Sequence, residues 1–256
     1  MARRGTGDLL RQGHAEFRAN RDVAWPMILL AAVLHMLLQS LLRPMGPLDP
    51  ARPDNTALLA LLAATGLLAS LALLLAVVWS RTVFLGRSKA MEGGLLALLR
   101  RWGAALGLLA WAMLLWLIAL LPAMLLAGTL GLILSQITGG LPVAVQLIIA
   151  LACLALPSLT IGAVLWAAVG QMALDRPVTL LDAMISLAGH WRAVTGLMLV
   201  AALPPLLLAS LVLLLAADGG LIGMMARAAL SGCALASVLL VLPSLVRLSE
   251  ADSADS

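Results

Sequence analysis

Long apolar stretches alternate with short polar or basic segments along almost the whole chain, and the apolar stretches fall near residues 23–42, 55–79, 104–127, 142–169, 193–217 and 223–246. An α-helix needs about 20 consecutive apolar residues to cross a hydrocarbon layer about 30 Å thick. A membrane β-barrel would instead show segments of about 10 residues with strict apolar–polar alternation, and this chain has none. The pattern predicts an all-α fold, a polytopic transmembrane helical bundle of about six spans. Residues 1–22 form a basic amphipathic N-terminal segment, 23–247 the membrane domain and 248–256 a short acidic tail.

The connections differ in character. Segment 43–54 holds four prolines and predicts an extended connection. Segment 80–103 is basic, and 128–141 carries no charge, so it either lies in the outer interface or extends the third span. Within 179–191, Leu180, Met184, Leu187 and Trp191 recur at steps of three and four. Thr179 and Asp182 have the spacing of a capping box. This predicts an interfacial helix, and 89–101 predicts a second, weakened by Gly93 and Gly94 at about 1 kcal/mol each. At the N-terminus, Leu10, His14 and Phe17 repeat at helical spacing among five arginines, as in a helix lying on a membrane surface. The first apolar run begins only at Val23 and has no small-residue cleavage site after it, so the first span is expected to be retained.

Composition strengthens this picture: 63% of residues are hydrophobic and 11% charged, against about a quarter charged in soluble domains. Mean hydropathy is +1.09. The sixteen Lys and Arg are unevenly placed. Segments 1–22, 80–103 and 170–192 together with Arg247 hold thirteen, and the opposite side holds Arg43, Arg52 and Arg227. The positive-inside rule then puts both termini in the cytoplasm; the membrane expected is a bacterial inner membrane. In this setting a high isoelectric point reads as a topology signal and not as nucleic-acid binding. Cys153 and Cys233 fall inside spans and read as small core residues, not as a disulfide or metal pair.

A shift of 89 residues lays 87–119 over 176–208, matching Arg87 with Arg176, Leu98 with Leu187, Trp102 with Trp191 and Gly107 with Gly196. Two spans separate the copies, so the repeat would be parallel. The stretch DRPVTLLDAMISLAGHWRAVTGL, preceded by the proline-broken ALPSLTIGAVLW, resembles a pattern in bacterial six-helix membrane proteins. These are the YciC-like proteins and the membrane domain attached to some glycerophosphodiester phosphodiesterases. The resemblance covers residues 150–200 and implies no catalytic residue, because the phosphodiesterase barrel and its acid and histidine set are not present in the sequence.

Ionisable side chains inside spans are the first pointers to function in a membrane protein. His35 is one, with Gln39 a turn onward on the same face; Ser158 and Thr160 beside Pro157 complete a candidate intramembrane polar site. The alternative is a neutral histidine near the outer interface and hydroxyls bonded back to their own helix. Prolines 122, 157, 204 and 205 free backbone carbonyls, as in transporters, although neighbouring helices commonly satisfy them. Arg81, Arg87, Lys89, Arg100 and Arg101 are candidate contacts for anionic phospholipid at the cytoplasmic face. Ala228, Gly232 and Ala236 form a small-residue helix-packing seam, within the chain or toward a membrane-protein partner. No HExxH, GxSxG or Walker loop occurs, so catalytic, metal and cofactor residues are expected to be none. The sequence thus predicts a non-enzymatic scaffold, accessory subunit or envelope-maintenance factor; the alternative is a small transporter or channel for an apolar or amphipathic solute.

Overall fold

The computed structural model describes residues 5–42, 55–140, 142–215 and 221–251, and among them there is no strand. The helices are α1 (Thr6–Ala19), α2 (Arg21–Leu42), α3 (Asn55–Leu85), α4 (Arg87–Ala90), α5 (Gly94–Thr138), α6 (Val143–Ala173), α7 (Leu180–Leu187), α8 (Trp191–Leu215) and α9 (Leu221–Ala251), with a 3-10 turn at Ala188–His190 before α8. Six helical runs are long and apolar enough to cross a membrane: α2, most of α3, α5, the later part of α6, α7 running into α8, and α9. The chain is an all-α polytopic bundle.

One end of the bundle gathers α1, α4, α7, the C-terminal ends of α3, α6 and α9, and most of the arginines; we call it the basic end. The core is concentrated there. Leu9, Leu73, Val77, Trp79, Val169, Leu187, Val194, Leu197, Leu239, Leu242 and Leu245 are all fully buried. Helix α9 is the hub, touching α1, α2, α3, α6, α7 and α8. Toward the far end the helices turn large apolar side chains outward, as in α3 (Leu58, Leu59, Leu62) and α5 (Leu121, Leu125, Leu132, Ile137). Apolar surface of this kind is what a bilayer covers.

Several elements differ from the sequence expectation. The first interfacial helix over 89–101 does not form as a separate unit. The short α4 ends at Ala90; Gly93 and Gly94 take positive φ (86° and 70°) at the start of α5, and LLALLRRW is its first part, running on without a break. The 128–141 segment extends the third span as far as Thr138, carried through Gly128 and Gly131 by the apolar residues around them; Gly139, at φ 70°, terminates it. Helix α9 continues past residue 247 to Ala251, with Leu248 and Ser249 buried, so the tail proper is shorter than expected. The proline-rich 43–54 connection and residues 252–256 lie outside the described residues.

Helix α1 keeps an exposed basic face with Arg11, His14 and Arg18 and turns the opposite face to the bundle. It docks on α9, α8 and α2 through Leu9 and Gly13, and His14 points outward. The docking site is prepared by Pro243. A proline removes the hydrogen bond to the carbonyl four residues back, which here is Leu239 O, and the Trp79 indole N–H donates to that oxygen at 2.8 Å. One residue on, Leu240 O lies so close to Gly13 that a Cβ there would be only 2.3 Å from it. The Ser244 hydroxyl donates to Leu9 O at 2.9 Å. Phe17 rests on Trp79, ring centroids 5.9 Å apart.

Candidate functional site: the polar seam at the basic end

Arg81 stands near the C-terminus of α3 and is 2% exposed. A guanidinium buried this deeply must have its donors met. Nε donates to Ala90 O (2.9 Å), Nη2 to Lys89 O (3.2 Å), and Nη1 to Ala173 O (2.8 Å) and Asp175 Oδ2 (3.0 Å). Ala90 and Ala173 are the last residues of α4 and α6. A helix leaves its last carbonyls without partners and carries partial negative charge at that end, so one buried cation finishes two helices at once.

Asp175 follows the end of α6 at φ 63°, a left-handed conformation that Asp tolerates better than most residues. Its carboxylate receives Arg101 in a two-pronged grip, Nε to Oδ1 at 2.7 Å and Nη2 to Oδ2 at 2.9 Å. The Arg101 hydrogen bond, with help from Arg81, holds the Asp175 carboxyl below the usual carboxylate range against a smaller opposing effect of burial. The cluster ties α3, α4 and α6 to the first turns of α5.

Three further ties surround it. Arg176 pairs with Glu250 of α9, and beside them Gln171 donates to the buried Ser249 hydroxyl. Arg247 of α9 pairs with Glu16 of α1 and sits 5.1 Å above the Phe84 ring. Arg87 pairs with Asp22 at the start of α2, both side chains about half exposed, so this pair contributes little. The Thr179–Asp182 capping box forms as the sequence predicts: the Asp182 N–H donates to Thr179 Oγ1 (3.1 Å), and the Thr179 N–H donates to Asp182 Oδ2 (2.9 Å). Between the ends of α6 and α9 and the start of α7 lies an open cavity of about 540 Å3.

Of the five candidate lipid contacts, Arg81 is buried and consumed by helix ends, and the Arg101 side chain is 11% exposed and bound to Asp175. Arg87, Lys89 and Arg100 face outward. The polar candidates at depth fall into two pairs. On α2, Gln39 and His35 touch through their Nε2 atoms at 2.5 Å, while His35 Nδ1 and Gln39 Oε1 are buried without a partner. On α6, the Ser158 hydroxyl accepts from Trp116 Nε1 (2.9 Å) and donates back to Leu154 O (2.7 Å); Thr160 lies in the same helix. Helix α2 packs on α9 and α3, whereas α6 packs mainly on α5, so the pairs occupy different interfaces. The Ala228, Gly232, Ala236 seam faces α2: a Cβ on Gly232 would sit 3.3 Å from Ile28 Cγ2. It packs within the chain. Cys153 and Cys233 are free thiols, and among the described residues no three His, Cys, Asp or Glu side chains gather as metal ligands would.

Asp175, Glu16 and Arg247 were not singled out from the sequence. An Asp two residues before a proline, just after an apolar span, was the available signal for Asp175; nothing local marks Glu16, whose partner is 231 positions away by number. No family model, curated protein or solved structure matches this chain.

Proposed function

We propose that the chain is a non-enzymatic scaffold or accessory subunit of a bacterial inner membrane, with both termini in the cytoplasm and its basic end held against anionic phospholipid. The observation that carries the reading is where the ionisable side chains go. Arg81, Arg101, Asp175, Arg176, Glu250, Arg247 and Glu16 join one helix to another at a single end, in place of converging on a reaction centre. A knot of this kind fixes relative helix positions, which is what a platform for other proteins needs. The outward-facing Arg87, Lys89 and Arg100 supply the lipid contact, each cation near an anionic surface contributing about 1 kcal/mol. The transport reading has less behind it, since His35–Gln39 and Ser158–Thr160 occupy separate interfaces.

We also read α3–α4–α5 and α6–α7–α8 as two copies of one unit. In support, Gly86 and Asp175, 89 positions apart, both take positive φ, and the matched Leu98 and Leu187 are both buried.

The test combines topology with capture. Single cysteines replacing Gly46 and Ser135 are labelled by an impermeant reagent from the periplasmic side, and one replacing Ser88 is not. Native mass spectrometry of the protein drawn from its own membrane then shows bound anionic phospholipid, diminished in a Lys89→Gln/Arg100→Gln variant that spares the Asp175 knot. Labelling at Ser88 in intact cells would overturn the orientation, and unchanged lipid on the variant would overturn the lipid contact.

A further inference from the structure

The cavity at the start of α7 differs in charge from its surroundings. Segments 1–22, 80–103, 170–192 and 247–256 carry thirteen Arg and Lys against nine Asp and Glu, yet the ionisable groups lining this cavity are two carboxylates, Asp182 and Glu250, and one guanidinium, Arg176. Its floor is polar and buried: Gln171 is 8% exposed and Ser249 1% exposed. At about 540 Å3 it lies within the range of about 300–1,000 Å3 found for small-molecule sites.

Its depth relative to a membrane follows from α7. That helix buries Leu180, Ala183 and Leu187 against the bundle and turns Leu181, Met184 and Ile185 outward, all more than 40% exposed. A short helix at the polar end of a membrane bundle that keeps such a face outward rests in the interfacial zone. The cavity beside it is therefore at headgroup level, with Pro177 and Val178 supplying apolar wall for the part of a ligand that continues toward the chains.

We infer that this cavity binds a zwitterionic phosphoethanolamine group, the headgroup of an aminophospholipid. The charge pattern selects it. A phosphate alone meets two carboxylates, and a simple cation meets the guanidinium. A zwitterion lets Arg176 take the phosphate while Glu250 and Asp182 share the ammonium, so the Arg176–Glu250 pair is exchanged for contacts of opposite sign at both ends of the ligand, and the site keeps its net charge of one negative. Both bonds from Thr179 to Asp182 end on Oδ2, which leaves Oδ1 as an acceptor. A primary ammonium carries three N–H donors for such acceptors; a quaternary trimethylammonium carries none. The site therefore discriminates by hydrogen bonding and not by charge alone. This inference does not depend on the scaffold reading, only on α7 lying at a membrane surface.

The experiment titrates the full-length protein in detergent with phosphatidylethanolamine, and separately with phosphatidylcholine of the same chains, reading bound lipid by native mass spectrometry. Phosphatidylethanolamine is expected to occupy one site at a concentration at least about tenfold lower, a difference of about 1.4 kcal/mol. Asp182→Asn, which can still accept the Thr179 bonds, should abolish that preference, whereas Arg176→Gln should weaken both lipids alike. A third arm uses water-soluble glycerophosphoethanolamine. Binding as tight as the lipid's, with the same Asp182 dependence, keeps the headgroup chemistry and assigns the source to a soluble compound; weaker binding assigns it to the membrane. Equal affinity of the parent protein for the two lipids overturns the inference without recourse to any variant, as does a preference that survives Asp182→Asn.

Discussion

Replacing Gly13 with alanine tests how the N-terminal helix is held. In an exposed helix this change stabilises by about 0.5–1 kcal/mol, because glycine loses more backbone freedom on ordering. At Gly13 the added carbon would lie 2.3 Å from Leu240 O and 3.5 Å from Ser244 Oγ. The obstacle is backbone, held in α9, and cannot rotate aside as a side chain would. Helix α1 must therefore lift, stretching the 2.9 Å bond from Ser244 to Leu9 O and loosening the Glu16–Arg247 and Phe17–Trp79 contacts. Overpacking of this sort costs about 1–3 kcal/mol, which exceeds the helix-propensity gain. Gly7, in the same helix, has nothing within 4 Å of where its Cβ would be, so Gly7→Ala serves as the control and should be neutral or slightly stabilising. Two readouts apply in detergent: the thermal unfolding midpoint, and tryptic cleavage after the exposed Arg11 and Arg18, which follows the undocked population. Gly13→Ala should melt earlier and be cut faster, and Gly7→Ala should do neither. If Gly13→Ala melts at or above the parent with unchanged cleavage, the docking of α1 on α9 described above is wrong.

Trp79→Phe keeps an aromatic side chain but removes the donor to Leu239 O and part of the buried indole, leaving a carbonyl that Pro243 cannot serve; a loss of at least about 1–3 kcal/mol is expected in thermal or denaturant unfolding. Adding Pro243→Ala, which restores an N–H to that carbonyl, should recover part of the loss. Asp175→Asn tolerates the left-handed backbone but withdraws the negative charge between Arg81 and Arg101, at a cost of a few kcal/mol, on the order of 2–3 given that the aspartate is half exposed. Because the Asp175 carboxyl titrates below its usual value in the folded protein, its contribution is complete above about pH 4 and is lost as pH falls through the lowered value. The parent should therefore lose stability on acidification more steeply than Asp175→Asn over that window; parallel profiles would remove the knot's electrostatic account.

Much of the architecture was legible because bilayer-spanning helices are written in long apolar runs, and the capping box and the His35–Gln39 contact were legible because each is local. The Ala228–Gly232–Ala236 seam could be seen, though only the structure shows it turned toward α2. What the sequence left open has a common origin. The basic N-terminal helix has one apolar face whether it rests on lipid or on protein, and periodicity cannot separate the two; the deciding residue, Gly13, has no side chain to contribute to the pattern. Arg81 read as a lipid contact because a basic residue after a span ordinarily is one. Its burial depends on Ala90, Ala173 and Asp175 arriving from elsewhere in the chain. The boundary between the first interfacial helix and the third span vanished because LLALLRRW contains no helix breaker.

The bond between Leu9 and Ser244 joins residues 235 positions apart, the first helix to the last. A ribosome adding about 5–20 residues per second needs on the order of 10–50 seconds to traverse that interval. For all of it, α1 lacks the α9 surface that receives Leu9 and Gly13, and its exposed Leu9 suits the membrane-surface lodging that its amphipathic pattern suggests. Docking thus becomes a mark of completion. A chain that stops before residue 240 retains a loosely held, protease-accessible basic helix at its beginning, so a defect at the C-terminus is displayed at the N-terminus.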